Sequence, residues 1–443
     1  MTTWFFRARI RHAASIGVLL MLLPIGRLVA QAPAPKLGAK ERASALQAIE
    51  RSIDSIYVFP ELRPKIIARL EQSRRSHRYD VSDAALFAQR ITEDLDAAAH
   101  DGHLYLMNDP EQYAALSAPP ESSNGLDAYR EAIATRNHSG LTKLEILPGN
   151  IRYLRLEHFQ WIPGATQVAY DDAGRFLKDG DAVIIDLRGN GGGSSDAADY
   201  FSKTFLPPDR DPVRALLPQS RERDPRWQGK PLYLLVDGGV VSAAEAVSYG
   251  AQQEKTAIIV GSTTYGAANN NKKIPIAPRF VLSVSYNRPV HPISGTNWEG
   301  VGVKPDIPVA GAAALDAAEL DALDRLQAGA NVPAERLAEY RWARVAIQAR
   351  LHPVQVGAEQ LEAMAGTYGT IVLKNSPAGL RFFRADRPKR PQGVLMTPLD
   401  GEGLFGIDGY DDLRARVTAT GIVLFHGAPD QQEVFPRTGS SSL

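Results

Sequence analysis

The stretch from Asp181 to Phe201, DAVIIDLRGNGGGSSDAADYF, constrains the fold more than any other part of the chain. Ala182 to Leu187, interrupted once by Asp186, reads as a buried strand that runs into Gly189, Gly191, Gly192 and Gly193. A helical pattern resumes from Asp196 to Phe205. Strand, glycine corner and helix in immediate succession form the unit from which layered α/β proteins are assembled. The alternation recurs on both sides, with strands expected at Ile151 to Leu156, Pro231 to Val236, Ala257 to Val260 and Phe280 to Val284. Helices are expected at Ala165 to Leu177 and Ala243 to Gln253. The fold class is therefore read as α/β.

The flanks follow other rules. From Lys40 to His103, apolar residues recur at helical spacing (Leu46, Ile49, Ile53 and Ile56, then Phe87, Ile91 and Leu95), with Ser82 as the expected N-cap of the second run. A small helical bundle is expected there. Ser117 to Gly125 reads as a linker, and Ala312 to Arg350 as helical with a break at Gly329 to Pro333. Beyond Val356, short apolar runs (Gly369 to Leu373, Leu380 to Phe383, Val394 to Met396, Ile422 to Phe425) alternate with Gly, Asp and Pro turns, the spacing of a small antiparallel sandwich or barrel. The expected division is a leader at 1–32, a helical N-terminal domain at 36–116, an α/β core at 120–311, a helical connector at 312–354 and a small β domain at 355–437.

Composition closes off several functions. Without a single cysteine, disulfides, Cys-ligated metals and thiol nucleophiles are excluded. Arg7, Arg9 and Arg11 precede the apolar run Ala13 to Gly26, and Ala30-Gln31-Ala32 follows it, the pattern of a secretory signal peptide. The apolar run falls short of the roughly 20 residues a membrane span needs, so no span is expected once the leader is removed. The mature chain is expected to start near residue 33 and to be secreted or periplasmic. The formal charge is zero over 443 residues, but removing the leader with its four arginines leaves 46 basic against 50 acidic residues. A mildly acidic surface without a basic stripe argues against nucleic acid.

Three places have residues suited to chemistry. The glycine corner leaves backbone N–H groups able to face an anion, although Ser194 breaks the G-x-G-x-x-G dinucleotide pattern and no P-loop follows. A tight strand-to-helix turn explains the same glycines. At Ser242 a strand ends and a helix opens. Ser242 with Glu245 reads as a capping box, yet a serine beside the positive end of a helix, followed by the Ala243 amide, also suits a nucleophile and an oxyanion donor. In AHDGHLYL, His103 suits a general base and equally a lone surface histidine, while His100 and His103 lack a third ligand for zinc. Glu299, in NWEGVGVKPDIPV, is an acidic candidate in a loop-like stretch whose Pro305-Asp306 reads as a turn before an edge strand.

In order, DGHLYL, NIRYLRLEHF, VIIDLRGNGGG, SAAEAVSYGAQQEKTAIIVGSTTYGAANN and NWEGVGVKPDIPV cover residues 101 to 309. Together they resemble the tail-specific, or C-terminal processing, serine peptidase family, in its branch similar to interphotoreceptor retinoid-binding protein and the tricorn protease core. The resemblance implies a crotonase-like (ββα) peptidase core beneath an N-terminal helical bundle, and peptide hydrolysis through an acyl-enzyme. It assigns Ser242 as nucleophile, and the amides of Ala243 and Gly192 as the oxyanion hole. The lysine of many relatives falls on Ala267, which argues against a Ser/Lys dyad; the histidine and glutamate of the tricorn-like branch fall on His103 and Glu299. Gly102 stands where the tricorn motif has serine, and the short interval between His103 and Ile146 leaves no room for the usual PDZ module. The β module resembles small domains appended to secreted serine hydrolases, on AGTYG at Ala365 to Gly369.

The expectation is a secreted serine endopeptidase with a Ser/His/Glu site, acting on peptide or protein without metal or cofactor. The competing expectation is a non-catalytic carrier of an apolar ligand on the same fold. A crotonase-type acyl-CoA enzyme shares the paired amides but conflicts with export.

Overall fold

The structure, a computed structural model, describes residues 36–118, 131–206, 229–386 and 390–440. The expected leader and most of the expected linker at Ser117 to Gly125 lie outside these residues.

Three helices open the described chain: α1 (Ala39–Ile56), α2 (Arg63–Arg75) and α3 (Ala84–Ala99). The cap of α3 is Asp83 rather than the expected Ser82, and its carboxylate accepts the N–H groups of Ala85 and Leu86. Strand β1 (Tyr105–Asn108) and helix α4 (Pro110–Ser117) follow. Next come β2 (Leu141–Leu147), β3 (Ile151–Leu156), α5 (Ala165–Leu177), β4 (Ala182–Asp186), α6 (Ser195–Phe205), β5 (Leu232–Val236), α7 (Ala243–Gln253) and β6 (Ile258–Gly261). Strands β7 (Asn270–Ile276), β8 (Phe280–Asn287) and β9 (Ile307–Pro308) lead to helices α8 (Ala314–Gln327) and α9 (Ala334–Leu351).

Strands β2-β3-β4-β5-β6-β9 form one sheet, parallel from β3 to β9, with β2 antiparallel at one edge. Every residue of β4 and β5 is buried, as strands covered on both faces must be. One face carries Val183, Ile185, Leu234 and Val236 against Tyr170, Phe201, Phe205 and Val247 of α5, α6 and α7. The alternate residues, Ile184, Tyr233 and Leu235, meet Ala318, Ala322, Tyr340 and Ile347 of α8 and α9. Asp186, at the end of β4, is fully buried and accepts bonds from Tyr153, Arg155 and Arg188. Burial works against its charge, but the bonds from Arg188 and Tyr153 outweigh it and hold its pKa below the usual range.

A second sheet, β1-β8-β7, is antiparallel. Its apolar face (Leu106, Phe280, Leu282, Val284) closes the core of α1 to α3. Its opposite face is polar: Tyr105 and Lys273 both stand directly across from Ser283, so the three side chains lie in a row over three strands.

After α10 (Ala358–Met364), strands β10 to β17 (Gly366–Tyr368, Ile371–Ser376, Gly379–Arg384, Val394–Pro398, Leu404–Ile407, Tyr410–Val417, Gly421–His426 and Gln432–Ser440) close into an eight-stranded antiparallel barrel. The expected sandwich or barrel is thus the closed form, filled by Tyr368, Phe382, Phe405, Ile422 and their neighbours.

Candidate active site

Both glycine corner and serine turn sit at the carboxyl ends of parallel strands, where an α/β sheet leaves its loops free to build a site. The two turns are tied together. Asp237 Oδ1 accepts the N–H groups of Gly189 and Gly239, each at 2.9 Å. The Asn190 carbonyl accepts the Val241 N–H at 3.0 Å, and the Asn190 amide donates to the Leu156 carbonyl at 2.9 Å.

Ser242 has φ 57° and ψ −118°, a conformation costly for any residue with a Cβ. An N-cap serine sits instead in the extended region with its hydroxyl on the helix. Here the hydroxyl makes no cap bond. Half of the capping box survives, as Glu245 accepts the Ser242 N–H at 3.0 Å. Glu245 is fully buried and does more than the box predicts: it also accepts the Thr264 hydroxyl at 2.5 Å and the N–H groups of Gly266 at 2.6 Å and Ala267 at 2.8 Å. One carboxylate therefore joins the serine turn to the loop after β6.

The amides expected to face an oxyanion differ. The Ala243 N–H has no partner among the described residues. That of Gly192 is committed to Asn190 Oδ1 at 2.9 Å, contrary to an open donor. Among the described residues the corner amides without a partner are those of Gly191 and Gly193, and Gly191 lines the same cavity as Ser242. Gly192 (φ 88°) packs on the serine turn: a Cβ there would lie 2.9 Å from the Ser242 Cβ and 2.7 Å from the Val241 oxygen.

His103 enters from the other sheet. Helix α3 ends at His100 in the left-handed region, and Asp101-Gly102-His103 turns into β1. The Asp101 carboxylate fixes the turn by accepting the His103 N–H at 2.9 Å and the Ser285 hydroxyl at 3.0 Å. Gly102 is closely packed: a Cβ would lie 2.7 Å from Cε1 of the exposed Tyr265 ring and 3.1 Å from the Ala267 methyl. His103 is 7% exposed and its Nδ1 has no partner. Burial lowers its pKa below 6.5; the Asp101 charge opposes that shift and the Lys273 charge adds to it.

A cavity of about 660 Å³ brings Gly102, His103, Gly191, Ser242 and Tyr265 together, with Asp101, Tyr105, Asn271 and Lys273 in its walls. Ser242 and His103 share it without a hydrogen bond between them. Glu299 is not part of its lining. It stands behind His103 and accepts N–H groups from Ala268 at 2.6 Å, Asn269 at 2.8 Å and Gly102 at 3.4 Å. Burial, then the Asp101 charge, pushes its pKa up to about 7 against those bonds. Among the described residues no group of three His, Asp or Glu side chains is arranged to hold a metal ion.

A layered core whose two strand ends and one cross-sheet histidine meet in a single cavity defines the class of protein with which the chain can be compared. Residues 150–309 match the model of Peptidase family S41. It is 28% identical over 178 residues to the carboxy-terminal-processing protease of Bartonella bacilliformis (strain ATCC 35685), a match covering 36% of this chain and 39% of that relative. Among solved structures, the photosystem II D1 C-terminal processing protease is similar at 17% identity and TM-score 0.37, over 68% of this chain and all of that one. The tricorn protease is similar at 12% identity and TM-score 0.40, over 62% of this chain and 35% of that one.

Proposed function

We propose that the protein is a serine endopeptidase that cleaves peptide bonds through an acyl-enzyme formed on Ser242. The observation that carries this reading is the backbone of Ser242: a strained, uncapped serine at a helix start, facing a cavity shared with a buried histidine. His103 takes the hydroxyl proton as Ser242 Oγ attacks the carbonyl, then returns it to the leaving amine. Its lowered pKa keeps the imidazole neutral, and so basic, at neutral pH. The Ala243 N–H and the glycine corner receive the oxyanion, Gly191 directly and Gly192 by exchanging Asn190 for substrate.

Glu299 is a positioning residue in this scheme. It acts on the histidine through the backbone of Gly102 and of the 268–269 segment rather than by touching the ring. The absence of a lysine at 267 fits the same scheme, because the Ala267 methyl abuts the turn that delivers His103. The carrier alternative gains nothing from the cavity, whose walls hold Gln89, Thr92, Asp101, Asn271 and Lys273.

Export belongs to the proposal through the basic and apolar leader, and N-terminal sequencing of protein recovered from the periplasm or medium tests it. The activity is tested by fluorophosphonate labelling and by mass spectrometry of products from a peptide library. Labelling at Ser242 and cleavage are expected in the parent, with cleavage reduced by at least about 10³-fold in Ser242→Ala. Equal cleavage by both proteins would refute the assignment.

A further inference from the structure

The polar face of the β1-β8-β7 sheet forms a wall of the cavity, and one of its side chains has no role in the chemistry just described. Lys273 stands on β7 opposite Ser283, with Tyr105 of β1 opposite the same serine from the other side. Its Nζ bonds the Tyr105 hydroxyl and lies 4.2 Å from the centre of that ring. Tyr105 thus holds the ammonium in the cavity wall. Among the described residues no carboxylate lies within ion-pair reach of it.

The acids of the same cavity are otherwise placed. Glu93 pairs with Arg78 and accepts from Gln89. Asp101 is occupied by the His103 N–H, Ser285 and Asn269. Asp96 is exposed on α3. Lys273 is therefore a half-buried cation in the substrate cavity that awaits an anion, and desolvating such a group without a counter-charge is unfavourable. A peptide has only two kinds of anionic group to offer, an acidic side chain or its C-terminal carboxylate.

We propose that Lys273 is a specificity-determining residue of the cavity and receives a carboxylate of the bound peptide. Tyr105 is its positioning partner. The placement has a second effect: the Lys273 charge opposes protonation of His103, so a substrate carboxylate that neutralises it makes the imidazole a better proton acceptor as binding occurs. A lysine suits this task because its ammonium is a compact point charge on a stem that Tyr105 can hold. The proposal rests on the peptidase reading for its kinetic arm alone.

The test uses the full chain carrying Ser242→Ala and peptides labelled for fluorescence anisotropy. One set moves a single glutamate along the peptide with a glutamine twin at each place, and a second set pairs a free C-terminus with its amide. At one position, or at the terminus, the carboxylate form is expected to bind about fivefold tighter or more. Adding Lys273→Met brings that ratio to about one, Lys273→Arg keeps most of it, and Lys273→Glu reverses it toward a lysine-bearing peptide. Thermal melts of each variant establish that it is folded.

A preference at an internal position identifies a side-chain subsite, and a preference confined to the terminus identifies a C-terminal one. Failure of every peptide to show a preference, a preference that survives Lys273→Met, or no peptide binding at all overturns the proposal. The parent's kcat/KM for the same peptides is the second readout. If the parent cleaves nothing, the peptidase reading falls, while Lys273 is still judged by binding.

Discussion

The parallel sheet and the C-terminal barrel solve the problem of burying strands in opposite ways. In the sheet, β4 and β5 are buried on both faces, and their ends break into turns with unusual backbones: Ser242 at φ 57°, Gly189 at 74° and Gly192 at 88°. In the barrel, eight strands pair only with one another and leave no edge, around a core of Tyr368, Phe405 and Ile422. Polar groups at the sheet's ends converge on a cavity, whereas the barrel's inward residues are apolar. The sheet thus ends in strained turns beside a cavity, while the barrel closes on an apolar interior.

This division can be broken experimentally. The largest effect is expected in the cavity at the sheet's ends, which His103 enters from the second sheet. His103→Gln should lower the rate of fluorophosphonate labelling by about 10³-fold or more, as loss of the base does in serine hydrolases, with a melting temperature close to the parent's. A large loss of stability instead would mean that His103 is a packing residue.

The reverse is expected in the barrel. Phe405→Ala removes a fully buried ring from its core and should cost about 3–5 kcal/mol of stability, measured by denaturant unfolding. The labelling rate of the folded protein should stay at the parent's value. A slowed rate at full folding would show that the barrel reaches the site.

A smaller, pH-dependent effect distinguishes Glu299. Its folded pKa of about 7 lies above the ordinary 4.5, so between those values the folded chain holds more protons than the unfolded one. Stability contributed by this group is present below about 4.5 and is lost as pH rises toward 7. Glu299→Gln should remove that part of the pH dependence, so the difference in unfolding free energy between parent and variant should change across this window and flatten above it. A difference that is constant with pH would remove the titration.

What the sequence made legible was local. The strand-to-helix unit around Gly189 to Gly193, the turn ending in His103 and the serine opening α7 each lie within about twenty consecutive residues, so their spacing is written in the text. The bonds that assemble them are not local. Glu245 gathers donors from Thr264 to Ala267, and Glu299 reaches Gly102 across 197 positions. The row of Tyr105, Ser283 and Lys273 exists only through the register of three strands, two of which, β1 and β7, were not expected. Local text also misled: Ser82 looks as good a cap as Asp83, and only the carboxylate of Asp83 is turned to the helix amides.

The backbone of Ser242 has an evolutionary side. A residue with a Cβ held at positive φ is a standing energetic debt of about 1–3 kcal/mol, and glycine is the replacement that would cancel it. The position is thus one where a more stable descendant is a single substitution away, and where that descendant would have lost its hydroxyl. Under the function proposed above, relief of the strain and loss of the nucleophile at this position are therefore one and the same change.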